Sequence, residues 1–385
     1  MFVYIPKRFN YYALYLKENR LKIINVVGAR PNFMKIAPIH NLMLKTEGIE
    51  PYLLHTGQHY DEKMSKIFFI DLKMPEPDIY LKVGSGSHAV QTAKIMVEFE
   101  KVCLEQKPDL VLVVGDVNST VACTLVAVKL GIKCVHVESG LRSFDRRMPE
   151  EINRLMTDVV CDYLFVSEES GIENLKNEGI PDSKVFHVGN VMIDSLVNHI
   201  QAADGSKILD ELGVEKEKYC LVTLHRPSNV DDPENAKTLV ETLIEVSKKL
   251  KIVFPIHPRT LKNFGTMNLL KGFSDNENIK LTEPLGYLDF MKLMKESAFL
   301  LTDSGGIQEE TTYLGKPCLT LRENTERPST VTQGTNILIK ELNKNDILKH
   351  IDDIIEGRTK KGTVPKYWDG RTAERIVAIL KDTRG

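Results

Sequence analysis

The chain has 385 residues, 42% of them hydrophobic and 27% charged, with 51 Lys plus Arg against 53 Asp plus Glu. That composition excludes a disordered or collagen-like chain, and the length exceeds what one ordinary core serves, so two domains are expected. A formal charge of -2 gives no general attraction for nucleic acid or an anionic membrane surface, so an anionic ligand has to be held by a local site.

The chain opens MFVYIPKRFNYYALYLKENR, aromatic and basic but without an apolar stretch of signal-peptide length, and residues 1–20 read as an extension before the first strand. No apolar run reaches the roughly 18 residues that a membrane span requires. Six cysteines (Cys103, Cys123, Cys134, Cys161, Cys220, Cys318) form no C-x-x-C pair and fall mostly in apolar runs, as reduced thiols of a cytoplasmic protein would.

From residue 21, short runs of Val, Ile and Leu predict strands at 21–27 (LKIINVV), 109–114 (DLVLVV), 132–137 (IKCVHV) and 162–166 (DYLFV), each followed by a helical pattern. Strands apolar on both faces and alternating with helices make a parallel sheet covered on both sides. A polar, helix-favouring stretch near 195–217 precedes a second series at 220–225 (CLVTLH), 251–257 (KIVFPIH), 298–303 (AFLLTD) and 317–321 (PCLTL). The expected fold is therefore α/β, with two doubly wound, Rossmann-like domains at 21–200 and 201–368 facing across a cleft. The amphipathic RTAERIVAILKD predicts a C-terminal helix within 369–385 that packs on either domain. Such folds bind ligands where the carboxyl ends of the strands meet.

Polar, glycine-bearing clusters recur at those ends: GARPNFMK (28–35), GDVNST (115–120), HVESGLRS (136–143), LHRPSN (224–229), IHPRT (256–260) and TDSGGIQEE (302–310). In the last, a strand runs into Ser304, Gly305 and Gly306, and the next helix presents free N–H groups and its positive dipole end, an anion site suited to a diphosphate. Glu310, one turn in, is placed to accept from ribose hydroxyls; the plainer alternative is a helix cap with a glycine turn. Arg30, Lys35, His225, Arg226, His257, Arg259 and Arg327 supply cations for phosphate oxygens, with surface salt bridges as the alternative. Asp116 and Glu138 end or follow predicted strands, where a carboxylate needs a partner or a purpose. Glu150 and Glu151 open the helix EINRLMTDVV, where acidic residues also complement the dipole. GSGSHA (84–89) matches a dinucleotide fingerprint with Ala in the last place, but the fingerprint needs an acid about 20 residues on, after the next strand, and Asp116 lies about 30 residues on. His136 and Glu138 share a strand face without a third ligand at metal spacing, so a satisfied histidine is the plainer reading.

From about Lys22 to its end, the chain resembles the non-hydrolysing UDP-N-acetylglucosamine 2-epimerases through these clusters together with TGQHYDEKM, RRMPEEINR, GNVMID, EPLGYLDF and KPCLTLRENTERP. The resemblance implies a GT-B fold, a homodimer, and reversible epimerisation of UDP-GlcNAc to UDP-ManNAc for surface polysaccharides, by elimination and re-addition of UDP through a 2-acetamidoglucal. It implies catalytic roles for Asp116, Glu138 and Glu150, with His225 against the leaving diphosphate. UDP binding falls to Arg30, Ser304, Gly305, Gly306, Glu310 and Arg327. Lys35 matches a position close to the site, Phe290 lies in the 285–290 segment near the uracil, and His257 joins from the strand-end cations. No redox cofactor and no metal is implied. Gln58 and His59 match residues that hold a second, activating UDP-GlcNAc in bacterial members. Gly86 stands where those members carry a glutamine, so the enzyme is expected to convert UDP-ManNAc without added UDP-GlcNAc or to need much more of it than those members do. The alternatives are a 2-epimerase of a modified UDP-amino sugar, a hydrolysing 2-epimerase, a GT-B glycosyltransferase and a non-catalytic nucleotide-sugar sensor.

Overall fold

The computed structural model describes residues 20–58 and 74–383; residues 1–19, His59 and the side chain of Arg30 lie outside the described residues. Two parallel sheets organise the chain. The first comprises β1 (Leu21–Val27), β2 (Ile49–His55), β3 (Ile79–Tyr80), β4 (Leu110–Val114), β5 (Lys133–Ser139), β6 (Tyr163–Val166) and β7 (Val185–His187), in the order β3-β2-β1-β4-β5-β6-β7. The second comprises β8 (Tyr219–Thr223), β9 (Lys251–Pro255), β10 (Ile279–Thr282), β11 (Phe299–Thr302), β12 (Cys318–Leu321) and β13 (Asn336–Ile339), in the order β10-β9-β8-β11-β12-β13. The pairing is parallel throughout, with helices as crossovers where the connections lie among the described residues; this is the expected GT-B arrangement.

Each strand order reverses once, between β1 and β4 and between β8 and β11. There the outgoing loops part and leave a crevice at the carboxyl ends. The loops at these two points are 28–30 with 115–117, and 224–226 with 303–304, four of the six polar clusters. The crossing at the first point is tight, because a Cβ on Gly28 would lie 2.2 Å from Ser119 Oγ. Only glycine fits there.

The eight predicted strands are β1, β4, β5, β6, β8, β9, β11 and β12. β4, LVLVV, is buried at all five positions, as a strand covered on both faces must be. The expected boundary at residue 200 falls inside the helix Val191–Asp204, which packs on the helix Arg30–Met43 of the first layer and on Tyr287–Glu296 and Gly305–Leu314 of the second. The C-terminal helix Thr372–Asp382 returns to the first layer, against Arg30–Met43 and Val191–Asp204. Asp194 fixes its start by accepting from the N–H groups of Thr372 (3.1 Å) and Ala373 (2.7 Å). Just before it, the buried Trp368 indole donates to the Ser167 carbonyl at 2.8 Å.

Candidate active site

In the first layer, the site rests on the ends of β4 and β5. Beyond β4, Gly115 and Asp116 turn into the helix Asn118–Lys129. Asn32 ties the neighbouring β1 loop to this turn, accepting from Ala29 N–H at 3.0 Å and donating to the Val114 carbonyl at 3.1 Å. β5 ends in a register irregularity between Val137 and Ser139, and Glu138 within it has a φ of 68°. A non-glycine residue in the left-handed region is strained, and such bulges re-aim side chains beside functional sites. The buried Glu138 carboxylate is thereby brought onto the Lys35 ammonium, with which it forms an ion pair.

Asp116 is held by Arg154, whose Nη1 donates to Oδ2 at 2.5 Å, while Nη2 donates to Glu151 Oε2, also at 2.5 Å. Glu151 further accepts from the N–H groups of Ser143 and Phe144, each at 2.9 Å. Burial pushes the Glu151 carboxyl up, yet the Ser143 and Arg154 donors hold it below its ordinary value. The adjacent acids thus divide: Glu151 is structural, while Glu150 is half-buried and its charge acts on Arg226 of the second layer.

In the second layer, Asp303 at the end of β11 is the anchor. It accepts from the N–H groups of His225 (3.0 Å) and Arg226 (2.9 Å) and from Asn229 Nδ2 (3.1 Å). Burial pushes its carboxyl up, and the His225 side chain together with these donors outweighs that, holding it below the ordinary carboxylate range. His225 Nδ1 lies 3.0 Å from Asp303 Oδ1, which orients the ring, and the side chain keeps 43% exposure. A ring so held and so exposed is accessible to a ligand in the cleft. The His257 ring is 5.8 Å away, its Nδ1 accepting from Arg259 N–H at 3.2 Å.

Ser304 stands at the N-cap position of the helix Gly305–Leu314 without a side-chain capping hydrogen bond, and the first turn opens on Gly305 and Gly306. One turn on, Glu309 and Glu310 are both buried. Burial, with the Glu309 charge adding to it, pushes Glu310 up to about 8. Tyr287 donates to its Oε1 at 3.4 Å, and Phe290 sits half-buried on the same helix as that tyrosine.

Arg327 joins the layers. Its Nε lies 2.7 Å from Glu309 Oε1, and its Nη2 donates across the cleft to Glu138 Oε1 at 3.5 Å. Asn190 donates to the same Glu309 oxygen at 2.8 Å. Lys35, Glu138, Arg327 and Glu309 therefore form one chain of alternating charge from the first layer to the second. Behind Asp116, Gln58 Oε1 accepts from Ser119 N–H (3.0 Å) and Oγ (2.7 Å), and the Gln58 carbonyl accepts from Gln91 Nε2 at 3.1 Å. Gly86 faces Val90 in that neighbourhood.

The residues that sequence reasoning left without a role are Arg154, Glu309, Asp303, Gln91 and Glu168. Arg154 had a weak signal, its spacing of three from Glu151 on one helix face, and Glu309 and Asp303 lie inside a cluster already singled out. Gln91 had none. Glu168, buried at the seam, is pushed up to about 7 by burial and, among its neighbours, by the Glu309 charge. Among the described residues, no group of His, Cys, Asp and Glu is placed to hold a metal ion, and no helix is long and apolar enough to cross a membrane.

A family model described as UDP-N-acetylglucosamine 2-epimerase matches residues 42–381. The UDP-N-acetylglucosamine 2-epimerase of Methanocaldococcus jannaschii is 44% identical over 365 residues, covering 94% of this chain and 99% of the relative. The UDP-2,3-diacetamido-2,3-dideoxy-D-glucuronate 2-epimerase of Pseudomonas aeruginosa is 38% identical, covering 94% and 99%. A crystal structure of the Methanocaldococcus jannaschii UDP-GlcNAc 2-epimerase in complex with UDP-GlcNAc and UDP superposes with a TM-score of 0.85 at 43% identity, covering 94% of this chain and 99% of that one.

Proposed function

The chain belongs to the UDP-N-acetylglucosamine 2-epimerase family, and from that premise we propose that it interconverts UDP-GlcNAc and UDP-ManNAc without hydrolysis, by eliminating and re-adding UDP. The observation that carries this reading is the run of alternating charge through Lys35, Glu138, Arg327 and Glu309, which links a carboxylate at the end of one sheet to a diphosphate-type site at the end of the other.

The chemistry requires such a pairing. A base removes the proton at carbon 2 as the bond from carbon 1 to the diphosphate oxygen breaks. The electron pair of the C–H bond becomes the C1–C2 double bond of a 2-acetamidoglucal, and the C–O pair leaves with UDP. Return of UDP to carbon 1, with a proton delivered to the other face of carbon 2, gives the epimer. Two acid/base groups are needed, and we assign the work to Asp116, Glu138 and Glu150, each such group contributing about 100- to 10,000-fold. His225, Arg327 and the N–H groups following Ser304 stabilise the charge gathering on the departing diphosphate. Lys35, Arg30 and His257 add cations, Glu310 takes the ribose, and Phe290 lies on the uracil side. Water has to be kept from the glucal, and closure across Arg327 and Glu138 serves that end.

Incubation with UDP-GlcNAc in deuterium oxide tests the proposal: UDP-ManNAc forms with deuterium at carbon 2. Free ManNAc would indicate the hydrolysing reaction, and retained hydrogen a route through a ketone.

The enzyme works as a homodimer in the cytoplasm, supplying a surface-polysaccharide precursor. Support for the dimer is an exposed apolar stripe of Val90, Val97 and Leu104 at heptad spacing on the helix His88–Gln106, with Met156 and Val159 also exposed on the helix Pro149–Val160. Support for the compartment is that all six cysteines are buried and unbridged.

A further inference from the structure

Two residues before Glu138, His136 is fully buried in β5 beneath the site. Both of its ring nitrogens are engaged. Nδ1 lies 2.6 Å from Asp158 Oδ1, and Nε2 lies 2.8 Å from the backbone carbonyl oxygen of Gly115. A carbonyl oxygen only accepts. The Asp158 carboxyl also takes the N–H of Gly140 at 3.0 Å and pairs with Arg142 Nη1 at 2.7 Å, both on Oδ2. The permanently charged Arg142 guanidinium and the Gly140 N–H both sit on Oδ2 and favour the ionised carboxylate, so Asp158 is an acceptor toward His136 at Oδ1. A neutral imidazole has one donor and one acceptor nitrogen. Between two acceptors it would set a lone pair against an oxygen lone pair at hydrogen-bond distance. Only the doubly protonated ring satisfies both sides, and such a ring has no lone pair for a metal.

Its grip falls at a sensitive place. Gly115 donates its N–H to the Val137 carbonyl at 3.1 Å and offers its own carbonyl to His136, so β5 clamps it through both backbone groups. A Cβ on Gly115 would lie 3.2 Å from Lys35 Nζ and 3.6 Å from Glu138 Oε2, so this backbone is the floor under that ion pair. Asp116 is the next residue.

We propose that His136 is a buried imidazolium, balanced by Asp158, and a positioning residue that sets the Gly115–Asp116 turn against Glu138. Its role in turnover rests on the epimerase reading above; its charge state does not.

Full-length protein labelled with nitrogen-15 in histidine tests the charge state directly. With His136 assigned through ring-to-backbone correlations, both ring nitrogens are expected to carry slowly exchanging protons in neutral buffer. A neutral tautomer, with one unprotonated nitrogen, overturns the proposal. For the positioning role, His136→Gln is expected to lower kcat by about 10- to 100-fold, as small misplacements of reacting groups do, with KM moved less than about threefold. An unchanged kcat, or a KM effect alone, overturns that role. If the wild type shows no epimerisation, the function is wrong while the nitrogen spectrum still decides the imidazolium; if His136→Gln does not fold, the wild-type spectrum decides the charge state and Asp158→Asn, which removes the balancing charge, is put to the same kcat and KM comparison, an unchanged kcat again overturning the positioning role.

Discussion

The two halves of the site are held by different means. In the first layer, side-chain cations do it: Arg154 holds Asp116, and Lys35 holds Glu138. In the second layer, backbone N–H groups do most of it, those of His225 and Arg226 on Asp303 and those of a helix start after Ser304. Backbone donors neither titrate nor rotate, which suits a diphosphate that must be bound in the same way before and after reaction. Side-chain ion pairs can be re-partnered by an entering substrate and can pass protons, which suits groups that must change state during turnover.

The contrast makes a first prediction, the largest. Asp116→Asn and Glu138→Gln are each expected to lower kcat by about 100-fold or more while UDP affinity, which the proposal assigns mainly to the second layer, stays within a few fold. Calorimetry with UDP beside steady-state rates checks this. A variant that keeps near-normal turnover removes its residue from the mechanism, and one that loses UDP binding breaks the division between the layers.

Trp368 probes the strap by which the C-terminal segment returns to the first layer. It is fully buried, and its indole satisfies the Ser167 carbonyl. Trp368→Ala is expected to destabilise the protein by about 3 to 5 kcal/mol, as large-to-small changes in a packed core do. Since Trp368 is the single tryptophan, denaturant titration of the variant followed by tyrosine fluorescence and by circular dichroism separates the cases: coincident, shifted transitions mean one cooperative unit, whereas divergent transitions mean the two layers unfold apart.

Much of the scaffold was legible in sequence, and the pattern of what was not has physical causes. The eight predicted strands lie inside the sheets, where both faces are buried and the runs are mostly apolar. Of the strands not foreseen, β3 and β7 edge one sheet and β10 and β13 edge the other, while β2, IEPYLLH, carries Glu50 and Pro51 within it. Ser304, Gly305 and Gly306 were legible because an anion site at a helix start is local in sequence. The positive φ of Glu138 was not, because a bulge depends on the neighbouring strand. Nor was the split between Glu150 and Glu151, since only the fold shows which of two adjacent acids meets Arg154.

A smaller effect is expected behind Asp116. The Gln58 amide oxygen is already taken by Ser119, and Gly86 offers no side-chain hydrogen bond to a second nucleotide sugar. Losing one such contact is worth about 0.5 to 1.5 kcal/mol, about 2- to 12-fold in affinity. Purified enzyme is therefore expected to convert UDP-ManNAc without added UDP-GlcNAc. An absolute requirement for micromolar UDP-GlcNAc would show that other contacts complete such a pocket.

The smallest effect tests whether the second layer is as indifferent to protons as its backbone donors suggest. Glu310 is its exception, a buried carboxyl raised from 4.5 to about 8 by burial and by the charge of Glu309. Below pH 4.5 the folded and unfolded chains both hold this proton, so the group contributes no pH dependence there. Between 4.5 and about 8 the unfolded carboxyl ionises while the folded one stays protonated, and stability falls as pH rises; above about 8 both are ionised and the loss levels off. Glu310→Gln, which keeps the shape and cannot ionise, is therefore expected to raise Tm over wild type by more at pH 9 than at pH 5. Compared at pH 9, where the wild-type group is a carboxylate, the same variant should weaken UDP binding if Glu310 receives the ribose hydroxyls, since an amide offers one acceptor oxygen in place of two. Equal Tm differences at the two pH values would show that Glu310 is ionised in the folded protein, and that the second layer, like the first, holds its acids by opposite charge.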